Sequence, residues 1–286
     1  MPDFSLARAR ILHRARAGAA REALSESSNS LLLDLLATPA RQAAVMEETG
    51  HRPWRMPNTR WVLAQTWDDL LFVHWRVPAE MLRPLVPEEL SLDEHDGSAW
   101  LGITPFVLSS FRLRGTVPLP RLSTFPELNV RTYVTAEDKP GIWFFSLDTS
   151  SRGAVEGARR LYKLPYFLAR MSVSFQGDGV EYSSSRRDAL RRPFVFSGRY
   201  RPKGEPAPPG PGSMEHFLTE RYCLYARDRA GLYRAEIHHP PWPLQRAVAE
   251  IELNTMPPDG VELPEEAPLT HFARRQDVVV WPLERV

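Results

Sequence analysis

Phe125-Pro-Glu-Leu-Asn-Val-Arg-Thr-Tyr-Val134 is the stretch on which the fold of this chain turns. At the two-residue period of a strand it sends Glu127, Asn129, Arg131 and Tyr133 to one face and Leu128, Val130, Thr132 and Val134 to the other. One face is wholly polar. In a half-exposed strand that face meets water. Yet Phe125-Pro126 before it and Trp143-Phe144-Phe145 after it are too apolar for an exposed edge. Turned inward, the face lines an interior with a carboxylate, an amide, a guanidinium and a phenol.

Outward from this segment, short β-branched and aromatic runs are punctuated by proline and glycine. Before it lie Trp61 to Thr66, Leu70 to Trp75 and Trp100 to Phe106; after it come Gly141 to Asp148, Leu168 to Phe175, Val180 to Ser184 and Phe194 to Tyr200. Glu220 to Ala226, Gly231 to His238, Ala247 to Leu253 and Asp277 to Trp281 continue the pattern. About a dozen strands with few long helices predict a closed or nearly closed antiparallel barrel or sandwich. The 27 prolines exclude an all-helical chain. Short helices are expected at Pro78 to Leu85 and Met214 to Leu218, and Arg201 to Gly212 reads as a proline-rich surface loop.

Residues 1 to 50 differ. Arg8, Arg10, Arg14, Arg16 and Arg21 alternate with alanines and leucines, the serines from Ser25 to Ser30 interrupt, and the leucine run Leu31 to Leu36 resumes. Thr38-Pro39 reads as a cap with proline in the first turn and Gly50 as a stop, giving about three short helices. The arginine-rich start has the composition of an organelle presequence, but arginine dominates the whole chain, so we read a docked helical extension. The domains are therefore an extension at 1–50 and a β domain at 51–286, which should fold without the extension.

Thirty-six basic against 35 acidic residues leave a formal charge of +1, no field for nucleic acid or an anionic membrane. A single cysteine, Cys223, forms no intrachain disulfide and no thiolate cluster. The uncharged run Gly97 to Phe111 is 15 residues long, short of a membrane span. These features predict a cytoplasmic protein with a small-molecule ligand, no nucleic-acid or membrane partner, and compatibility with a homo-oligomer.

Candidate chemistry centres on the polar strand. Tyr166, Leu168, Arg170 and Ser172 share a parity after Pro165, and Glu220, Tyr222 and Leu224 share another. Buried arginines call for carboxylates, which Glu127 and Glu220 supply to Arg131 and Arg170. A structural ion-pair network is the alternative to a catalytic one. The eight histidines lack metal-site spacing, so no metal is expected, and of adjacent His238 and His239 only one can face an interior. His238 or His74 is a candidate acid or base. No nucleophile elbow, phosphate loop or dinucleotide fingerprint occurs. Only Lys139, Lys163 and Lys203 could form an imine, and only Lys163 lies beside another cation and apolar residues.

His51-Arg-Pro-Trp, Leu70-Leu-Phe-Val-His-Trp, the Phe125 segment, Leu164-Pro-Tyr-Phe, His216-Phe-Leu-Thr-Glu-Arg-Tyr-Cys-Leu-Tyr, Ile237-His-His-Pro-Pro-Trp-Pro-Leu and His271-Phe-Ala-Arg-Arg resemble the YqjF-like proteins, the domain-of-unknown-function family 2071, from about His51 to Val286. That family is similar in fold to acetoacetate decarboxylase. The resemblance implies a mainly β (α+β), barrel- or cone-like antiparallel sheet around a small cavity. Glu127 matches a glutamate of the decarboxylase and Pro165 the proline before its paired lysines; where those lysines stand, this chain has Tyr166 and Phe167. A decarboxylase arginine falls, in a loose alignment, at Asp68. Imine-based decarboxylation is therefore not expected.

Together these readings predict Glu127 and Tyr166 as catalytic residues, and Asn129, Arg131, Arg170, Glu220, Tyr222 and His238 as ligand-binding residues. No cofactor is expected. The protein would act on a small oxo-acid as a lyase or isomerase, or else bind a small anion without turnover.

Overall fold

The computed structural model describes residues 36–119, 122–187 and 192–286. The helices expected before residue 36 lie outside the described residues. Helix α1 is already formed at residue 36 and runs to 44, so Thr38 lies within it and not at its cap. A 3-10 turn, Val45–Glu47, ends it before Gly50.

Thirteen strands follow: β1 (Leu63–Val77), β2 (Ser91–Leu92), β3 (Ala99–Leu113), β4 (Phe125–Ala136), β5 (Lys139–Thr149), β6 (Tyr166–Gln176), β7 (Gly179–Arg186), β8 (Val195–Ala207), β9 (Cys223–Asp228), β10 (Gly231–His238), β11 (Leu244–Asn254), β12 (Leu269–Val280) and β13 (Glu284–Arg285). The helices among them are α2 (Ala79–Leu82), α3 (Arg152–Leu161) and α4 (Met214–Thr219). The two runs at Trp61 and Leu70 merge into the single strand β1, with an irregular register between Asp68 and Val73 and with Asp69 at φ 50°.

The sheet closes because β4 pairs with β5 and β10 with β12. One circuit passes from β4 through β5, β6, β7, β8, β11, β12, β1 and β3; a second leaves β5 through β9 and β10 to rejoin β12. Strands β12, β1, β3, β4 and β5 belong to both and form a common wall. On one side of the wall Leu71, Val73, Leu128 and Val130 pack with Tyr182, Phe196 and Phe272. On the other, Leu147 and Tyr166 pack with Ala226, Ile237 and Val278, and Phe72 and Phe106 with Trp242. Both faces of β4 are buried as a result, from Glu127 to Val134. This is the cone-like, mainly β architecture expected. It departs from pure antiparallel pairing where β5 meets β6 and β9, both parallel.

Helix α3 provides the crossover that a parallel β5–β6 pair requires. The sequence reading missed it, since Gly153 and Gly157 weaken its helical signal by about 1 kcal/mol each. Ser151 caps it by accepting the Ala154 N–H at 3.2 Å. The proline-rich run is also corrected: β8 continues to Ala207, pairing Pro202 with Ala247 of β11. Strand β7 parts from β8 at Tyr200, leaving one edge free, and the β11 ladder is itself irregular between Leu244 and Arg246. Sheets tolerate proline at such edges.

Helix α1 and the turn after it dock on the wall. Val45 is buried with Trp61, Ala64, Val279 and Trp281. Gln42, fully buried, donates to Thr66 Oγ1 and the Ser110 carbonyl, both at 3.1 Å, and accepts from Arg112 Nε at 2.7 Å. Truncating such a group strands its partners at about 1–3 kcal/mol. Gln42→Ala should lower the unfolding free energy by that amount in urea titration. A chain beginning at His51 should keep a cooperative melt at a lower temperature; an uncooperative one would show that α1 is part of the obligatory core.

Candidate functional site

The polar face of β4 is inside the molecule, with Glu127, Asn129 and Arg131 each about 5% exposed or less. Strand β3 runs alongside in unbroken register, setting Gly102, Thr104 and Phe106 opposite Arg131, Asn129 and Glu127. Gly102 leaves room there. A Cβ at this position would lie 3.1 Å from the His74 ring and 3.3 Å from Arg131 Cγ, so a larger residue would press both side chains back by a few tenths of an ångström.

At one end of the face Tyr166, the first residue of β6, donates its hydroxyl to Glu127 Oε2 at 2.8 Å. From the opposite side of the wall Tyr182 donates to the backbone carbonyls of Glu127 at 2.7 Å and Phe106 at 3.2 Å, fixing the strand beneath the carboxyl. Burial pushes Glu127 up to about 7, against a smaller lowering by the Tyr166 hydroxyl. Burial and the neighbouring carboxyl hold Tyr166 well above the usual phenol range. Glu127 therefore exchanges a proton near neutrality, where general acid–base work is efficient.

At the other end Arg131 lies with its guanidinium 5.2 Å from the centre of the Phe72 ring. No carboxylate among the described residues pairs with it, and its Nε and Nη2 make no hydrogen bond within the protein. The expected ion pair with Glu127 or Glu220 is thus absent. Burial lowers the arginine's pKa, with Tyr133 acting the other way. His74 Nε2 meets the Tyr133 hydroxyl at 2.5 Å. Burial and then the charges of Arg131 and His271 keep this imidazole well below its usual range, hence neutral. Around these groups Thr104 Oγ1, Asn129 Oδ1, His74 Nδ1 and Trp67 Nε1 are also buried without a partner. Each such group costs about 1–3 kcal/mol. They are spread over the neighbouring strands β1, β3 and β4, and such unsatisfied groups call for an explanation.

Other predicted residues fall elsewhere. Arg170 is exposed: β6 pairs with β5 only through Leu168 and then with β7, so the parity begun at Tyr166 leads into solvent. Glu220 is not in a strand but caps the C-terminus of α4. It accepts the Trp242 N–H at 2.9 Å and the Tyr222 hydroxyl, so its oxygens are occupied by structural bonds. Tyr222 stacks on His239 at 4.8 Å, and Trp242 meets Phe72 edge-on at 4.9 Å; this second cluster thereby backs the first. His238 meets the outer side of the second cluster, 6.3 Å from the Tyr222 ring centre. Its Nε2–H donates to the Val45 carbonyl at 2.9 Å, its ring stacks on His51, and burial lowers it to about 4. Of the two adjacent histidines it is His239 that lies between Tyr222 and Trp242, at 4.8 and 5.2 Å between ring centres. Sequence reasoning missed Gly102, Thr104, Phe72 and Trp67; the register of β3 against β4 is the signal that finds the first two.

Five surface hollows of about 190 to 510 Å³ have other linings, and none includes Glu127, Asn129 or Arg131. The site is a closed polar interior and not one of these open pockets. Among the described residues no group of three or more metal-ligating side chains converges, and no helix is long and apolar enough to cross a membrane.

A family model described as an uncharacterised conserved protein, DUF2071, matches residues 64–277. The uncharacterised YqjF of Bacillus subtilis is 46% identical over 231 residues, 80% of this chain and 95% of that protein. The chain belongs to the DUF2071 family. Among solved structures it is similar to acetoacetate decarboxylase from Legionella pneumophila, with a TM-score of 0.54 at 11% identity over 85% of this chain and 95% of that one. The enduracididine biosynthesis enzyme MppR, in complex with pyruvate, aligns with a TM-score of 0.56 at 10% identity over 82% and 93%. An acetoacetate decarboxylase-like enzyme from Sphingomonas wittichii gives 0.54 at 13% identity over 82% and 97%. These neighbours share the fold.

The carboxyl of Glu127 yields a stability test. Its folded pKa of about 7 lies above the ordinary 4.5, so its protonated form is favoured by folding. That contribution is fully present below about pH 4.5 and is lost as pH rises through 7, a change of about 3 kcal/mol. Between about pH 5 and about pH 8, urea titration should show the natural protein losing that much more stability than Glu127→Gln. Parallel pH profiles would mean that Glu127 titrates as an ordinary surface carboxyl.

Proposed function

We propose that the polar interior binds a small carboxylate-bearing metabolite, with Arg131 taking the carboxylate and the Glu127–Tyr166 pair moving a proton, as a lyase or isomerase acting on an oxo-acid requires. The observation that carries this reading is the unpaired fork of Arg131. A buried cation without an anion costs several kcal/mol, and Nε with Nη2 is the edge that grips a carboxylate through two parallel bonds. Phe72 covers the flat face of the guanidinium, so a ligand approaches that edge.

Glu127 supplies the base. With a pKa of about 7 it is partly ionised at neutral pH and can take a proton from carbon beside a carbonyl, the electron pair passing to the carbonyl oxygen. Tyr166 holds the carboxylate in place. That one fold neighbour is a pyruvate complex supports the ligand class by analogy only.

Imine catalysis has no residue to perform it. Lys163, the one candidate, pairs with Asp228, and that bond raises the amine's pKa instead of depressing it. Lys139 is bound to Glu236, and Lys203 is exposed on β8. Phe167, at the second lysine position, packs its ring 4.0 Å from the Arg186 guanidinium.

Calorimetry and thermal melts with a panel of oxo-acids test the proposal. Ligands should raise the melting temperature, and Arg131→Gln should weaken them by about tenfold or more. Consumption of a ligand, abolished in Glu127→Gln while binding persists, would identify an enzyme. Binding without turnover would identify a sensor or carrier. The reading fails if no carboxylate binds or if Arg131→Gln binds equally well. Borohydride with pyruvate should trap no adduct, and one mapped to Lys163 would restore an amine mechanism.

A further inference from the structure

A second group of arginines without carboxylates lines a surface hollow of about 510 Å³ beside α1. Arg112, near the end of β3, and Arg114, just beyond it, stand two residues apart and share a side of the extended chain. The Arg114 N–H donates to the Val62 carbonyl at 2.9 Å, so the pairing continues past the end of the strand. Arg112 lies opposite Ala64, on the face that the turn after α1 covers. Arg60 reaches the same hollow from the segment before β1. Between them stands Trp61, whose ring centre is 5.3 Å from the guanidinium carbon of Arg112 and 5.1 Å from that of Arg114. Two like charges are thus drawn to one indole.

Among the described residues none of the three arginines has a carboxylate partner, and no aspartate or glutamate lines the hollow. Asp277, the carboxylate that α1 does reach, is bound by Arg41. Arg112 is the most constrained of the three. It is 4% exposed, and its nitrogens meet only uncharged oxygens: Gln42 Oε1 at 2.7 Å, the Pro39 carbonyl at 3.0 Å and the Thr116 carbonyl at 3.4 Å. These bonds staple α1 to the loop after β3, yet they leave a buried charge uncompensated. A staple needs one arginine. It does not account for two more, both exposed, that face the same hollow with no acid among them and add to a positive field that nothing beside it cancels.

We propose that this hollow binds a compact group with more than one negative charge, a phosphate ester, between Arg60, Arg112 and Arg114. The planar fork of an arginine matches two phosphate oxygens at once, and a dianion has oxygens for more than one fork. The hollow shares no lining residue with the polar face of β4, so the site is distinct from the interior described above. Ala43 and Met46 form its apolar wall, along which the organic part of the ester has room.

The test has two arms, both on the full chain. Pyrophosphate is titrated calorimetrically as the soluble probe, and vesicles of phosphatidylcholine with and without phosphatidic acid are sedimented with the protein. Pyrophosphate should bind once per chain. Arg60→Glu and Arg114→Glu, at exposed positions where folding is spared, should each weaken it by about tenfold or more. Arg131→Gln should bind it as the natural chain does. Sedimentation that requires phosphatidic acid and is lost in the same two variants would assign the phosphate to a lipid headgroup, and pyrophosphate binding without sedimentation would assign it to a soluble ester. Three results would overturn the site: neither probe binds; both glutamate variants bind as the natural chain does, which would move the anion elsewhere, for example to the arginines between Arg8 and Arg21; or Arg131→Gln abolishes binding, which would move it to the interior.

Discussion

The rest of this structure depends on one constraint: strands β12, β1, β3, β4 and β5 serve as a wall between two closed circuits, so neither face of β4 reaches water from Glu127 to Val134. In an ordinary half-buried sheet the alternation of β4 would send Glu127, Asn129 and Arg131 into solvent at no cost. Here the same alternation forces a carboxyl, an amide and a guanidinium into the interior. Burial is what moves Glu127 into the neutral range and leaves Arg131 seeking an anion.

How the wall tolerates these groups separates structure from function. On the apolar side, Asp148 is buried too, but Arg186 binds one of its oxygens through two nitrogens, at 2.8 and 3.0 Å, and is itself sandwiched against Phe167 and Phe194. Arg52 is likewise held by Glu236 between the rings of Trp54 and Tyr222. These arginines have partners within the protein. Arg131 has an aromatic face but no anion, and its neighbours on β3 and β4 share the deficit. Unsatisfied buried atoms occur elsewhere too, at Arg52 Nε and Asp148 Oδ2 among others, but those two side chains have ion partners, and Arg131 has none among the described residues.

The likeness to acetoacetate decarboxylase is one of scaffold. Where the family resemblance places the decarboxylase's lysine pair, this chain has Tyr166 and Phe167. Tyr166 turns its hydroxyl to Glu127, making a carboxyl–phenol pair where the family resemblance places an amine. A fold can retain its closed sheet while the side chains on the common wall are exchanged, because the wall's hydrogen bonds are made by backbone.

Much of the strand content and the polar face of β4 were legible in the chain because they rest on local period and on apolar flanks. Strand parity and the family resemblance put Glu127 and Tyr166 in one interior, but the carboxyl was expected to meet an arginine, and it is Tyr166 that meets it. The failures have a common cause. Period two says which residues share a side of a strand, but not what lies on that side or where the strand changes partner. Arg170 lost its place because β6 exchanges β5 for β7 after Leu168. Glu220 was placed in a strand that begins three residues later, and His238 was chosen over His239, although only the docking of Val45 decides between them. The proline-rich half of β8 pairs because its other edge is free, which no composition reveals. Sequence by itself determined the strands, the family and the presence of a charged face. Tertiary structure alone decided that the face is sealed between two circuits and that Arg131 meets no carboxylate among the described residues, since both depend on contacts between residues remote along the chain.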